Sequence, residues 1–85
     1  MNTLRIVKEI KEKLDCYIEY QVYDVNINGK PCKELEIEIG GQSLDSTQWE
    51  DLNQILNDYD LKILDFGIYI TVYDDGLYFD IIEKR

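Results

Sequence analysis

Apolar residues recur at helical spacing near the amino terminus of the chain. Charged residues fill the positions between them, and the apolar positions are Leu4, Val7, Ile10 and Leu14. Steps of three and four residues place these side chains on one side of an α-helix. The stretch therefore predicts an amphipathic helix that covers a core.

A second helix is predicted from residue 45 onward. Asp45 can cap its first turn, and Gln48 stands at the position that completes a capping box. Leu44 and Trp49 occupy the two positions of a hydrophobic staple. The predicted inward-facing stripe consists of Trp49, Leu52, Leu56 and Tyr59.

The residues around Asn28-Gly29 alternate between apolar and polar and predict a β-hairpin. Asn-Gly favours a two-residue type I′ loop, which fixes the register of both strands. On one face this register pairs Val22 with Leu35, Tyr20 with Ile37, and Ile18 with Ile39. On the other face it pairs Tyr23 with Glu34, Gln21 with Glu36, and Glu19 with Glu38. The alternation breaks next to the turn, where a bulge or a longer loop is predicted.

Asp75-Gly76 predicts a second hairpin by the same rule. An inner face then pairs Val72 with Phe79 and Ile70 with Ile81. The outer face pairs Tyr73 with Tyr78, Thr71 with Asp80, and Tyr69 with Ile82. Gly67 is a candidate break in the long run 61–73.

These elements predict a single α+β domain over residues 1–85, in the order α-β-β-α-β-β. The helices and the apolar hairpin faces each need a partner to bury. We therefore expect a four-stranded, mainly antiparallel sheet with both helices on one face. The other face would be open, acidic and rich in tyrosine.

The net charge of the chain indicates which classes of molecule could bind that open face. The chain has a net charge of −9, and residues 15–83 hold sixteen acidic residues against three lysines. Such a body repels nucleic acid and anionic membranes and attracts basic protein surfaces. No apolar run is long enough to cross a membrane or to form a signal peptide, so a cytoplasmic protein is predicted.

Candidate catalytic chemistry is sparse. The chain contains no histidine, the commonest general base and metal ligand. Cys16 and Cys32 are predicted on opposite faces of the sheet as free thiols, which suits the cytoplasm. The aspartate pairs match no EF-hand spacing and suit turns and caps. We predict a protein that is not an enzyme and that needs no metal or cofactor.

The stretch "KELEIEIGG" at residues 33–41 directs the functional hypothesis. Three glutamates lie on one side of a strand, and Glu19 opposite Glu38 is a like-charge pair that costs stability. A cost retained in the free protein suggests that a partner supplies the cations, and tyrosines among carboxylates suit a guanidinium. The predicted partner-binding residues are Glu19, Tyr23, Glu34, Glu36, Glu38, Tyr73, Tyr78 and Asp80.

In its size, acidity, lack of histidine and this stretch, the chain resembles small acidic inhibitors made by phages and mobile elements, the anti-CRISPR and DNA-mimic anti-restriction proteins. The resemblance implies that the chain occupies the nucleic-acid-binding surface of a Cas effector or another defence nuclease, in the host cytoplasm if it is phage-encoded. It also implies that Glu34, Glu36 and Glu38 stand in for phosphates.

Three other functions remain open at this point. An immunity protein that blocks a toxin nuclease would need the same surface. A small interaction module could self-associate through the tyrosines, so the chain is expected as a monomer or a homodimer. A small enzyme with paired carboxylates would need a pocket, for which a chain of 85 residues has little core to spare.

Overall fold

The fold is a two-layer α+β arrangement, seen in a computed structural model that describes residues 1–41 and 43–84. The elements are α1 (Thr3–Leu14), β1 (Ile18–Ile27), β2 (Lys30–Gly40), α2 (Ser46–Asp58), β3 (Leu61–Ile70) and β4 (Asp75–Glu83). The predicted element order is confirmed. All strand pairs are antiparallel, and the strands lie in the order β1-β2-β4-β3 across one sheet.

Helix α1 buries a stripe that differs by one residue from the predicted one. Val7, Ile10 and Leu14 are buried as expected, but Leu4 is 71% exposed and Ile6 is buried instead. At 3.6 residues per turn, Leu4 lies roughly 100° from the centre of the buried stripe. Ile6 lies closer to that centre, so it takes the inward position.

Helix α2 begins with the predicted capping box. The Gln48 backbone N–H donates to Asp45 Oδ1 at 2.8 Å, and the Asp45 N–H donates to Gln48 Oε1 at 3.0 Å. Gln48 Nε2 also donates to the Leu14 carbonyl at 3.1 Å, which ties the start of α2 to the end of α1. The predicted inward residues Trp49 and Tyr59 are only partly buried, whereas Ile55, which the predicted stripe omitted, is buried.

One hydrophobic core joins both helices to the sheet, so both lie on the same face. The buried cluster combines residues of α1 and α2 with Leu35, Ile37 and Ile39 of β2 and with Phe79 and Ile81 of β4. Partly buried Trp49 packs edge-on against Phe79, with ring centroids 5.5 Å apart. The central strands β2 and β4 thus carry most of the inner face.

The first hairpin has the predicted register throughout. Glu19 lies opposite Glu38 and Tyr23 opposite Glu34, and the pairing continues without interruption to Ile27 and Lys30. The predicted bulge near the turn is therefore wrong. Asn28 and Gly29 both have positive φ, 52° and 80°, as a type I′ turn requires.

The predicted register of the second hairpin is wrong. Strand β3 ends at Ile70 and pairs that residue with Asp75, so the turn lies at residues 71–74 and Asp75-Gly76 belongs to β4. Val72 is 94% exposed and Ile70 is 81% exposed, rather than inside the core. In the observed register Phe66 lies opposite Phe79.

Two residues explain this difference. Thr71 closes the turn: its N–H donates to the Asp74 carbonyl at 2.7 Å, and its hydroxyl accepts from the Asp74 N–H at 2.9 Å. Gly76 is a strand residue whose hydrogen leaves room for the neighbouring strand. A Cβ there would lie 2.1 Å from the Ile39 carbonyl oxygen.

Strand β3 is continuous through Gly67, so the candidate break there is also wrong. Its irregularity lies between Ile63 and Asp65, where Leu64 is an extra residue in the pairing with β4. Cys16 and Cys32 are both free thiols, as predicted. Within residues 1–41 and 43–84, no helix is long and apolar enough to span a bilayer.

Candidate functional site: the acidic open face of the sheet

The open face is the side of the sheet opposite the helices. Because side chains alternate along a strand, it displays every second residue of the regular strands. Its acidic, amide and tyrosine members on β1 and β2 are Glu19, Gln21, Tyr23, Glu34, Glu36 and Glu38, and those on β4 and β3 are Tyr78, Asp80, Asp65 and Tyr69. Lys62 of β3 faces the same side. A shallow depression of about 320 Å³ between β1 and β2 is lined by Glu19, Gln21, Glu36 and Glu38, among others.

Seven of the eight predicted partner-binding residues lie together on this face. Glu38 has Glu19 on one side and Tyr78 on the other, and Glu36 has Asp80 as its neighbour on β4. Tyr73 is the exception. It lies in the turn at residues 71–74, is 97% exposed, and does not face Tyr78.

A row of three carboxylates crosses three adjacent strands and is here called the carboxylate row. Glu36 of β2 lies opposite Asp80 of β4, and Asp80 lies opposite Asp65 of β3. Oδ1 of Asp80 is buried and accepts no hydrogen bond from any residue that the structure describes. The middle member of the row is therefore a buried acceptor between two acidic neighbours.

The row shifts the ionisation of its members. Partial burial, and then the negative charge of Asp80, raise the pKa of Glu36 above its usual range. Partial burial, and then the charge of Asp65, raise the pKa of Asp80. The pKa of Glu34 is raised for the same kind of reason, burial followed by the charge of Asp80. The free protein thus holds these three charges against a local penalty.

Two tyrosines lie flat on the open face over strand glycines. Tyr78 covers Gly67, where a Cβ would lie 2.8 Å from the ring, and Tyr69 covers Gly76 in the same way. In one pair the glycine is on β3 and the tyrosine on β4, and in the other the glycine is on β4 and the tyrosine on β3. Cross-strand contact of an aromatic ring with glycine supplies the packing that glycine lacks.

Tyr78 and Tyr23 are neutral hydroxyl donors beside the carboxylates of the open face. The negative charge of Asp65, and then burial, raise the pKa of Tyr78, whose hydroxyl lies 3.5 Å from Asp65 Oδ2. Burial, and then the carboxylates of β2, raise the pKa of Tyr23. The open face therefore alternates negative charge with uncharged hydroxyl donors.

The described residues supply little positive charge to this face. Neither ion pair found among the described residues lies on this face: Lys33 pairs with Asp24, and the amino terminus lies 3.8 Å from Glu83. By strand alternation Lys33 belongs to the helix side of β2. Lys62 of β3 does lie on the open face, opposite Ile82 of β4, and this isoleucine separates it from Glu34 of β2.

The chemistry of this face is that of an acceptor array for cations. Carboxylates spread over a sheet can receive guanidinium or ammonium groups, and neighbouring tyrosine rings can stack on a guanidinium. Among the described residues, no three cysteine, aspartate or glutamate side chains have the arrangement of a metal site.

Two members of the site lay outside the predicted partner-binding set. Asp65 joins the carboxylate row only because β4 lies between β2 and β3 and because the turn precedes Asp75. Tyr69 was placed on the open face, but opposite Ile82 rather than over Gly76. The pattern of tyrosine and glycine two residues apart, Gly67 with Tyr69 and Gly76 with Tyr78, was the available signal for the observed register.

Comparison with known proteins adds no family to this description. Scans against protein-family models, curated proteins and solved structures each found no match to the chain.

Proposed function

We propose that this protein is a non-enzymatic inhibitor that binds the basic surface of a nucleic-acid-binding protein through its open face. The target class that fits best is a nuclease of anti-phage defence, such as a Cas effector. One observation carries the proposal: no member of the carboxylate row Glu36–Asp80–Asp65 forms an ion pair with a residue that the structure describes. The proposal entails a cytoplasmic protein that does not bind nucleic acid itself.

The repulsion within the row supports a partner that carries positive charge. Two carboxylates about 5 Å apart repel by roughly 0.8 kcal/mol even in water, and by more where they are partly buried. Lysine in place of Glu36 or Asp65 would remove this cost. A partner's arginine would remove it as well, and it would also supply the donor that Asp80 Oδ1 lacks.

The tyrosines beside the row favour arginine over a diffuse counter-ion. Tyr78 borders both Glu38 and Asp65, and Tyr23 borders Glu34. A guanidinium can stack on a tyrosine ring while it donates to the adjacent carboxylate. Aromatic residues and arginine are also the residues that contribute most to binding at protein interfaces.

The spacing of the carboxylates supports a surface that ordinarily binds nucleic acid. Along β2 the glutamates recur at about 6.6 Å, and adjacent strands lie about 4.8 Å apart. Each DNA strand carries a phosphate at about every 3.4 Å of axis. Neighbouring strands add Glu19, Asp80 and Asp65 to the glutamates of β2, which makes a two-dimensional array that an arginine-rich phosphate-binding surface can engage.

An immunity protein against a toxin nuclease would use the same chemistry. The neighbouring genes distinguish the two: a toxin gene beside this one favours immunity, and a phage operon favours a defence inhibitor. The binding surface is the same in either case.

Capture from a nuclease-treated lysate tests the proposal. The bait is the tagged chain, as wild type or with Glu34→Gln, Glu36→Gln and Glu38→Gln. A control carries Glu12→Gln, Glu50→Gln and Asp60→Asn, which removes the same number of charges at exposed positions outside the sheet.

We expect the wild type and the control to retain a common nucleic-acid-binding protein that the open-face variant loses. Double-stranded DNA should displace it, and the purified nuclease should lose its activity when the wild type is added. Equal retention by the open-face variant, or a captured protein that DNA does not displace, would refute the proposal.

A further inference from the structure

The outer edge of β3 is the second surface of this molecule with a composition that needs explanation. From Phe66 to Tyr73 the chain has eight consecutive residues without a charge, in a protein of net charge −9. On the helix side of the sheet, Phe66 is 56% exposed although its ring packs against Trp49 of α2, and Ile68 and Ile70 are 72% and 81% exposed. An exposed apolar edge strand is a template for pairing with another strand.

The backbone of β3 is oriented for such pairing. The Thr71 N–H donates to the Asp74 carbonyl across the turn. In an antiparallel pair every second residue forms hydrogen bonds with the neighbouring strand. Counting back from Thr71, the β3 residues that form hydrogen bonds with β4 are therefore Tyr69 and Gly67. Phe66, Ile68 and Ile70 therefore direct their N–H and C=O groups away from the sheet. The Phe66 N–H donates to Asp65 Oδ1 at 2.9 Å and would exchange this bond on pairing.

We propose that two copies of this chain associate through β3, antiparallel and about a two-fold axis at Ile68, to form one eight-stranded sheet. Antiparallel self-pairing at this position is isologous, so it closes after two copies. It places Ile68 opposite its own equivalent and Phe66 opposite Ile70.

The residues along β3 are compatible with a second copy. In this register Asp65 of each copy meets uncharged Thr71 of the other. Phe66, Ile68 and Ile70 thus meet only apolar residues, and no two acidic residues face each other.

The opposite edge of the sheet does not share these properties. Strand β1 carries Glu19 on one face and Asp24 on the other. Charged residues on an edge strand protect it from association. The dimer is therefore specific to β3, and it is independent of the proposed function of the open face.

Mass and cross-linking test the dimer. Light scattering should give twice the 10.1 kDa chain mass for the wild type. Ile68→Lys should halve that mass, whereas Val22→Lys on the edge strand β1 should not change it. Circular dichroism would show that both variants retain the fold.

The register is tested with single cysteines in a Cys16→Ser, Cys32→Ser chain. Ile68→Cys should form an intermolecular disulfide on mild oxidation, since directly opposed residues lie about 5.5 Å apart. Ile70→Cys should not, because its equivalent lies about 13 Å further along the partner strand.

Several outcomes would overturn the proposal. These are a monomer at every concentration, a mass that Ile68→Lys leaves unchanged, open-ended assemblies in place of a dimer, or cross-linking at position 70 but not at 68. A monomer that binds a different protein through this edge, and loses it with Ile68→Lys, would assign the edge to that protein instead.

Discussion

Asp80 is the residue at which charge repulsion and the burial of an acceptor most reduce the stability of the open face. It is the middle member of the carboxylate row, and its buried Oδ1 has no donor among the described residues. Asp80 and Glu36 both have pKa values raised above the ordinary 3.8 and 4.5. The folded state therefore holds protons on these groups more tightly than the unfolded state does.

This difference sets the direction of the pH dependence of stability. Where the folded state binds more protons, the free energy of unfolding falls as pH rises. The favourable contribution is complete below the ordinary pKa values and is lost as pH rises through the raised ones. We expect the melting temperature to fall as pH rises above about 4, through the raised pKa values of Asp80 and Glu36.

Asp80→Asn should reduce this fall, because the amide has no charge and can donate to Glu36. At pH 7 the variant should be more stable than the wild type. Thermal melts at several pH values measure both effects, and Asp60→Asn, at an exposed position outside the sheet, is the matched control. A pH dependence that Asp80→Asn leaves unchanged would show that the carboxylate row is not strained.

At the scale of elements, turn chemistry and strand packing compete for the same residue types. Around Asn28-Gly29 the alternation reaches the turn, and the pairing that the loop type predicts is the observed one. Asp75-Gly76 is also a dipeptide that favours a type I′ turn, but there the glycine serves strand packing and the turn is closed by the hydroxyl of Thr71. Sequence pattern could predict the open face and most of its residues, but not Asp65 in the row, because neither strand order nor this register follows from local spacing.

Glycine substitutions in the β3–β4 hairpin test this explanation. Gly76→Ala places a methyl group against the Ile39 carbonyl and should cost on the order of 3 kcal/mol or more, since backbone must move. Gly67→Ala meets only the Tyr78 ring, which can rotate away, and should cost about 1 kcal/mol or less. Urea denaturation measures both. A smaller cost for Gly76→Ala than for Gly67→Ala would show that strand packing does not require glycine at position 76.

The capping box of α2 gives a second test at this scale. Asp45→Ala removes the acceptor for the Gln48 N–H and should cost about 1 kcal/mol. Gln48 would also lose its orientation toward the Leu14 carbonyl, so the contact between the helices should loosen. Hydrogen exchange at the start of α2 reports this directly. Unchanged protection there would show that the box does not stabilise the helix.

Three regions of the sheet differ in their surface chemistry. One face of the sheet packs on both helices, while the other concentrates carboxylates and tyrosines, and the uncharged edge of β3 lies between them. Pairing of two copies through β3 would place two carboxylate rows on one continuous face. The net charge of −9 would keep the remaining surface soluble and would attract a basic partner over a distance.

The open-face variant should fold as well as the wild type. Glutamine at positions 34, 36 and 38 keeps the shape of the side chains and removes repulsion, so the free energy of unfolding should stay equal or rise slightly. Denaturation of the variant and of the control triple variant gives this comparison. A large loss of stability would show that the glutamates serve the fold rather than a partner.

The affinity of the isolated partner for the two forms tests the central claim most directly. The measurement is a titration of that protein with the wild type and with the Glu34→Gln, Glu36→Gln, Glu38→Gln variant at low and high salt. If each charge contributes about 1 kcal/mol, the variant should bind roughly a hundredfold more weakly, and salt should weaken the wild type chiefly by slowing association. Equal affinity of both forms, independent of salt, would contradict the account and leave the open face as a solvated surface.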